Sequence, residues 1–386
     1  MLKNLFAAPI EPTEESKSPP KMPPAPAKSG VVDREAIEYI VAHGVTAPSP
    51  ANVQPWLFDF RAGVLTLRND PTRAFDMLDN DGMAAKISCG AVLENVTLAA
   101  RSIGLEPTID LFPEANDPDL VCRITFAPRA VERHAHVDWI TKRCANRRLP
   151  EKHETIDPAT LASLTELAKA AGVRLQFKED LESLSAYETL LRFETRLGFS
   201  NKNIFKEFTG TFRWTQDEVK NTRDGLDVWA LEAHGPQRAI LRALTQRPNV
   251  ESMREVGAQE FFEKPAIGRM TRSSAICLVT IPSFDGKRVV EAGKVVQRLW
   301  LTANAAGLAF QPQTFLPYYF MRVERSQGKG FEEEEIAMLR EKRLRFKELF
   351  EVGPNDAEVF MFRLGRADPP TARALRRRLD DLLTFA

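Results

Sequence analysis

Two arginines at a four-residue spacing are the clearest candidates for chemistry in this sequence of 386 residues. Arg143 and Arg147 lie in the segment TKRCANRRLP, and on a helix they would be one turn apart, where both side chains could face one anion. A guanidinium group presents its N–H donors in a planar fork, which matches the oxygens of a phosphate. The pair therefore predicts an anion site, and a solvated surface charge is the alternative for each arginine.

A rigid polar loop is the second candidate, and it reads APSPANVQPW over residues 47–56. Proline fixes the backbone dihedral φ, so the three prolines also fix the directions of the side chains of Ser49, Asn52 and Gln54. A loop of this kind can hold a polar ligand in one orientation. The alternative is a turn that only caps the hairpin after it, and we expect Trp56 to lie in the core.

The overall composition excludes several classes of protein. Lysine plus arginine (53) equal aspartate plus glutamate (53), so net charge gives no reason to expect nucleic acid or an anionic membrane as a partner. No segment reaches the roughly 18 apolar residues of a membrane span. Four separated cysteines suit a reducing compartment, and the pair His134 and His136 has no third ligand motif nearby. We therefore predict a cytoplasmic protein without a metal site.

The apolar patterns along the chain predict an α+β protein in two halves. Residues 1–32 are rich in proline and lack apolar periodicity, which is typical of a disordered leader. The first half covers 33–127 and the second covers 128–386, with a mainly helical insertion at about 179–265. Each half combines short strands with one long apolar helix, at about 83–103 and about 289–306. AICLVTI and AEVFMFRLG are strand patterns of the second half.

The two long helices match one another without a gap. GAVLENVTLAARSIGL at residues 90–105 aligns with GKVVQRLWLTANAAGL at 293–308, so that Gly90 corresponds to Gly293 and Gly104 to Gly307. Helical periodicity alone forces some apolar agreement. However, each helix is also followed by a loop and a later apolar strand. The sequence therefore predicts an internal duplication.

The runs SPANVQPW, ISCGAVLENVTLAA and GLAFQP, together with the R-x-x-x-R segment, resemble the nitroreductase-like FMN flavoprotein family. Members are typically homodimers with FMN at the subunit interface. One subunit supplies an R-x-S-x-R element, and its partner supplies an S-x-x-N-x-Q-P-W loop. Here each element occurs once, in different halves, which looks most like the Acg-like branch, in which one chain mimics the dimer. The resemblance implies a nitroreductase-like sheet flanked by helices, duplicated into two fused halves (a pseudo-dimer), with a helical lid and one FMN per chain.

The resemblance also implies which residues contact FMN. They come from the two motif elements, the loop beside flavin N5, a cation near flavin N1 and O2, and basic residues after the last strand: Ser49, Asn52, Gln54, Arg143, Ala145, Arg147, Arg269, Pro312, Gln313, Thr314, Arg366 and Arg376. Ala145 stands where the family has serine, and Thr314 stands where it usually has glutamate. Arg272 is the alternative to Arg269 as the cation, and Arg373 and Arg377 are the alternatives to Arg366 and Arg376 after the last strand.

The function that the resemblance implies is an FMN-binding oxidoreductase, which takes a hydride from NAD(P)H and passes it to a small conjugated or nitro-type acceptor. We expect no catalytic acid or base, because the cofactor carries the chemistry. One alternative is an FMN-binding or storage protein with a covering lid and little reductase activity. The other is a flavin-dependent oxidase or dehydrogenase of a peptide or protein substrate. A monomer is expected, with a homodimer as the alternative.

Aromatic residues of the insertion have two possible roles. They could line the pocket of a small-molecule substrate, or they could form the core of the insertion itself: Phe205, Phe208, Phe212, Trp214 and Trp229.

Overall fold

The computed structural model describes residues 11–233, 235–246 and 268–385, so residues 234 and 247–265 of the predicted insertion lie outside the described residues. The helices, in chain order, are α1 (Arg34–Gly44), α2 (Met83–Ser102), α3 (Val137–Ile140), α4 (Pro158–Ala170), α5 (Leu181–Ser200), α6 (Lys202–Gly210), α7 (Gln216–Thr222), α8 (Gly235–Gln246), α9 (Gly286–Ala305), α10 (Phe315–Ser326) and α11 (Glu333–Leu349). The strands are β1 (Trp56–Arg61), β2 (Val64–Asn69), β3 (Leu105–Leu111), β4 (Leu120–Pro128), β5 (Arg174–Lys178), β6 (Phe212–Arg213), β7 (Leu226–Asp227), β8 (Ala275–Ile281), β9 (Ala309–Pro312), β10 (Ala357–Gly365) and β11 (Leu383–Phe385). None of the helices within these ranges has the length and apolar character needed to cross a membrane.

The first half contains a five-stranded sheet in the order β11-β1-β2-β4-β3. β1 and β2 form the predicted hairpin, whose two-residue turn places Ala62 and Gly63 at φ values of 50° and 81°. Positive φ at both turn positions matches the right-handed twist of the flanking strands. The other edge of β1 pairs in parallel with β11, so that Phe58 lies opposite Leu383. The C-terminus of the chain therefore completes the sheet of the first half.

The second half contains a four-stranded antiparallel sheet in the order β5-β8-β10-β9. All residues of the two central strands, β8 and β10, are buried. Burial on both faces explains why these strands have long apolar runs instead of an alternating pattern. Their observed bounds coincide with the predicted segments AICLVTI and AEVFMFRLG.

The long helices α2 and α9 cross at the pair of glycines that the sequence alignment made equivalent. A Cβ atom added to Gly90 would lie 2.0 Å from the carbonyl oxygen of Val290, and one added to Gly293 would lie 2.2 Å from that of Ile87. Such distances are far inside van der Waals contact, so the helix backbones can approach this closely only because both positions are glycine.

Polar contacts beside this crossing are reciprocal. The Glu94 carboxylate accepts two hydrogen bonds from the Arg298 guanidinium, each of 2.8 Å, and the Gln297 amide donates one of 2.8 Å to Asn95. In the gap-free alignment Glu94 corresponds to Gln297, and Asn95 corresponds to Arg298. Exchange of equivalent partners is the signature of a two-fold interface. The prediction of an α+β protein with two fused, duplicated halves is confirmed.

The insertion begins with α5 and connects both halves. α5 shares a hydrophobic cluster with α10 and α11, in which Tyr187, Tyr319 and Phe346 are fully or almost fully buried. The Glu207 carboxylate of α6 accepts hydrogen bonds from backbone N–H groups in the loop before α2, including that of Leu78 at 3.0 Å. The insertion is therefore fastened to the second half by apolar packing and to the first half by hydrogen bonds.

Residues 11–32 of the leader have defined contacts in the structure, where the sequence predicted disorder. Ser16 is fully buried, and its carbonyl oxygen accepts a hydrogen bond of 2.8 Å from the Arg373 backbone N–H. The Glu15 carboxylate pairs with both terminal nitrogens of Arg223, at 2.5 and 2.9 Å. These contacts join residues more than 200 positions apart, so an apolar pattern within the leader does not reveal them.

Candidate functional site

A cavity of about 490 Å³ lies where the two halves and the insertion meet. Its walls come from the loop before β1, α2, the segment after α3, the insertion, α9, the loop after β9 and the C-terminal segment. The volume falls within the range of roughly 300–1,000 Å³ that is typical of small-molecule sites. Apolar side chains of both long helices form part of the wall, including Ile87, Ala91, Val296 and Trp300.

The loop before β1 is held in an unusual backbone conformation. Ala51, Asn52 and Gln54 have φ values of 41°, 58° and 54°, in the left-handed region that non-glycine residues rarely adopt. The Ser49 hydroxyl oxygen accepts a hydrogen bond of 2.9 Å from the Gln54 backbone N–H and so closes the loop on itself. Each such conformation costs on the order of 1–3 kcal/mol and persists only where the surroundings impose it.

The two amide side chains of this loop hold the C-terminal segment. The Asn52 amide donates to the Leu375 carbonyl at 2.9 Å, and its oxygen accepts from the Arg376 guanidinium at 2.8 Å. The Gln54 amide donates to the Arg223 carbonyl at 2.8 Å, and its oxygen accepts from the Arg377 backbone N–H at 2.8 Å. Asn52 lines the cavity, whereas the fully buried Gln54 is not among the lining residues.

Arg143 is buried at the cavity wall with a partly unused guanidinium. One terminal nitrogen donates to the Thr46 carbonyl at 3.0 Å, and the group lies 4.5 Å from the ring centre of Trp300. Its Nε is buried and has no hydrogen-bond partner among the described residues. Burial, together with the neighbouring charge of Arg376, lowers the pKa of Arg143 to about 9. The guanidinium therefore remains charged at neutral pH, in surroundings that oppose its charge.

Two further predicted arginines line the same cavity. Arg376 donates to the carbonyls of Thr46 and Ala47 at 3.0 and 3.2 Å, and burial lowers its pKa to about 10. Arg147 donates to the Ala230 carbonyl at 3.0 Å, and burial lowers its pKa as well. All of these hydrogen-bond acceptors are neutral. The carboxylate of Glu232, which also lines the cavity, acts on Arg147, and none of the contacts named here gives Arg143 or Arg376 a carboxylate partner.

The predicted helical spacing of Arg143 and Arg147 is wrong. α3 ends at Ile140, and the segment from residue 143 to residue 150 has no regular secondary structure. The two side chains nevertheless line one cavity. Their side chains bond to separate carbonyls, those of Thr46 and Ala230, which lie in different parts of the wall.

The other predicted residues divide into those at the cavity and one outside it. The residues that line the cavity are Ser49, Ala145, Arg269, Pro312, Gln313 and Thr314. Arg366 is not among the lining residues; its half-exposed side chain lies 3.6 Å from the carboxylate of Glu154. Ala145 also packs against the core of the second half. Of the insertion's aromatics, Phe208 and Phe212 line the cavity, whereas Phe205 is buried.

Glu194 is a cavity residue that the sequence did not indicate. It projects from α5, is 7% exposed, and accepts a hydrogen bond of 3.2 Å from the Leu316 backbone N–H at the start of α10. Burial raises the pKa of its carboxyl to about 8. A lone glutamate in a helical stretch has no sequence signal, because only the packing of α5 against α10 brings it here.

Comparisons with known proteins test the resemblance to the nitroreductase-like family. No protein-family profile matches the chain. "Putative NAD(P)H nitroreductase acg" of Mycobacterium tuberculosis is 30% identical over 106 residues, which are 28% of this chain and 32% of that protein. A second protein of that organism, "Putative NAD(P)H nitroreductase MT3217", is 30% identical over 94 residues. The predicted resemblance to the nitroreductase-like family is confirmed.

A longer match, to an uncharacterized protein, covers most of this chain. "Uncharacterized protein MT1398" of Mycobacterium tuberculosis is 25% identical over 346 residues, which cover 88% of this chain and 47% of that protein. The chain thus spans about half the length of that relative. The FMN-dependent nitroreductase NfnB of Mycobacterium smegmatis, solved in complex with NADPH, is 15% identical and overlays with a TM-score of 0.38, covering 65% of this chain and 98% of that chain. At this score the overlay adds nothing to what the two sheets themselves show.

Proposed function

We propose that this nitroreductase-like chain is an FMN-dependent oxidoreductase that accepts reducing equivalents from NAD(P)H and passes them to a small conjugated or nitro-type acceptor. The observation that carries the proposal is the group of guanidiniums at one cavity, Arg143, Arg147 and Arg376, whose hydrogen bonds go to neutral acceptors. A buried positive charge without a counter-ion is costly, and a bound phosphate would remove that cost. The chemistry of this donor set therefore fits the phosphate of FMN.

The remaining residues of the cavity suit the rest of the cofactor. Arg143 and Arg376, whose charges act on one another, would hold the phosphate, and Arg147 would contact the cofactor from another part of the wall. The apolar wall of α2 and α9 would receive the flat ring. FMN, when bound, supplies the hydride chemistry. Arg269, which also lines the cavity, would favour the reduced and more negative flavin through its charge.

Asn52 and Gln54 would support the FMN site indirectly, through contacts with the C-terminal segment. Both amides hydrogen-bond to the C-terminal segment, and Asn52 contacts Arg376 itself. We assign both residues to positioning: they hold Arg376 at the cavity. The first half would thus contribute to the site by fixing an arginine of the second half. A single chain would complete the site in this way, which supports a monomeric pseudo-dimer.

A flavin-storage protein is the second candidate function. Glu15, Ser18 and Pro20 of the leader line the cavity, as do Phe208 and Phe212 of the insertion. These elements would cover a bound flavin and restrict the approach of NAD(P)H or of an acceptor. Storage therefore requires the same FMN site but predicts slow reduction.

A visible spectrum of the purified chain, followed by NAD(P)H addition under nitrogen, separates these functions. A yellow protein that NAD(P)H bleaches supports the oxidoreductase, and a yellow protein that stays yellow supports storage. A colourless protein that also fails to bind added FMN would reject both. Flavin stoichiometry tests the single site: about one FMN per chain is expected, and a value near two would contradict it.

A further inference from the structure

Glu194 stands at the N-terminus of α10, directly beside Pro312, Gln313 and Thr314, which the family resemblance implies lie next to the flavin. Thr314 is the N-cap residue of α10, and its side chain makes no capping hydrogen bond. The Glu194 carboxyl, from α5 of the insertion, accepts the Leu316 N–H at 3.2 Å instead. The insertion thus places a carboxyl group against the backbone of Leu316, which is two residues after Thr314, and the same carboxyl-bearing residue lines the cavity.

The surroundings of this carboxyl favour its protonated form. The charged and titratable groups that interact with it include Arg269, before β8, and the hydroxyls of Tyr187 on α5 and Tyr319 on α10. Arg269 and the Leu316 N–H favour the carboxylate, but desolvation outweighs both and raises the pKa of Glu194 to about 8. At neutral pH the group therefore holds a proton at the wall of the cavity.

We propose that Glu194 is a catalytic residue, the acid that protonates the electron acceptor as it receives a hydride. This inference rests on the proposed oxidoreductase function. With an α,β-unsaturated carbonyl as acceptor, the hydride forms a C–H bond at the β carbon, and the electron pair of the C=C bond moves toward the carbonyl. The Glu194 O–H bond breaks and its electron pair stays on the carboxylate, while the former C=C pair takes up the proton and forms a C–H bond at the α carbon. The carboxylate then regains a proton from solvent, so atoms and electrons balance.

Two acceptors separate proton donation from a structural effect of the variant. The FMN-loaded protein is reduced chemically with dithionite and mixed in a stopped-flow instrument with either 2-cyclohexenone or ferricyanide. Cyclohexenone needs a hydride and a proton, whereas ferricyanide takes one electron at a time and no proton. Glu194→Gln keeps an oxygen acceptor for the Leu316 N–H but has no acidic proton. Glu182→Gln, at an exposed position in the first turn of α5, is the matched control.

General acid catalysis typically contributes about 10²–10⁴-fold to a rate. We expect Glu194→Gln to slow reoxidation by cyclohexenone about 100-fold or more and to change reoxidation by ferricyanide less than about twofold. The wild-type rate with cyclohexenone should fall as the pH rises past the point where Glu194 ionises, and the variant should lack this fall. Equal slowing with both acceptors, or no slowing with either, would overturn the assignment.

An infrared measurement tests the proton without any reaction. The flavin-free wild type should show the C=O stretch of a protonated carboxylic acid at pH 7, and this band should be lost in Glu194→Gln but kept in Glu182→Gln. A wild type without the band at pH 7 would refute a protonated Glu194. Failure of the proposed function looks different, because a chain that binds no FMN, or whose bound FMN is not reduced by NAD(P)H, fails before the cyclohexenone step.

Discussion

Replacement of Gly90 by alanine tests the closest contact between the two halves. The added Cβ would lie 2.0 Å from the Val290 carbonyl oxygen and 2.8 Å from the Gly293 Cα, whereas ordinary contact begins at 3.4 Å. Both neighbours are backbone atoms of α9, so no side-chain rotation can relieve the clash. The helices would have to separate by more than about 1 Å, against a close-packed interior.

The expected cost follows from two opposing effects. Overpacking of a core typically costs about 1–3 kcal/mol, and a clash with rigid backbone belongs at the upper end of that range. Alanine favours a helix over glycine by about 1 kcal/mol, which offsets part of the cost. We therefore expect Gly90→Ala to lower the free energy of unfolding by about 2 kcal/mol. Gly293→Ala should behave alike, and the double variant should cost less than the sum because both changes push apart the same two helices.

Urea unfolding followed by circular dichroism measures these changes. Gly198 provides the control, because it lies inside α5 and a Cβ there would have no atom within 4 Å. Gly198→Ala should raise the unfolding free energy by about 0.5–1 kcal/mol through helix propensity alone. If Gly90→Ala is as stable as Gly198→Ala, the close crossing of α2 and α9 is wrong, and with it the two-fold relation of the halves.

Three further predictions concern the cavity. Arg143→Gln should weaken FMN binding about 10- to 100-fold, as measured by quenching of flavin fluorescence, whereas Arg366→Gln, outside the cavity, should leave it unchanged. Asn52→Leu should lower both FMN affinity and the melting temperature, because Arg376 and the Leu375 carbonyl lose a partner at a cost of about 1–3 kcal/mol. Unchanged FMN affinity would show that this loop only caps the hairpin. The pKa of Glu194 is about 8 in the folded chain against an ordinary value of 4.5, so folding takes up a proton between these pH values and stability falls as the pH rises through this window. Glu194→Gln should remove up to about 1.4 kcal/mol per pH unit of that fall in urea unfolding, and identical pH dependence in both proteins would contradict a raised pKa.

Much of the fold follows from local patterns. The bounds of β8 and β10 were predictable because a strand buried on both faces reads as a continuous apolar run. α2 and α9 were predictable in position and in mutual register, because close packing of two equivalent helices required glycine at the same place in each. The bounds of a strand depend on neighbouring residues, and the register of the two helices depends on the repeat within the chain. A single sequence contains both kinds of information.

Contacts between distant residues were not predictable in the same way. β11 pairs with β1, and Asn52 binds Leu375 and Arg376, across more than 300 residues. Arg366 and Arg376 lie in one basic segment, yet the cavity is lined by residues 372–376 of it and not by Arg366. Residue type indicates arginine as a candidate anion ligand, but the path of the backbone decides which arginine lies at the cavity.

The asymmetry of the two halves explains why a duplicated chain would keep a single flavin site. In the first half α1 ends at Gly44 and β1 begins at Trp56, and the long connection contains the loop that holds Arg376. At the corresponding place in the second half α4 ends at Ala170 and β5 begins at Arg174, which leaves room only for a short turn at Gly172, with a φ of 68°. Such a turn is too short to reach across to an arginine of the other half. Under the two-fold relation the second site would need both a longer loop here and a second basic segment, so restoring it would take an insertion and not a point mutation.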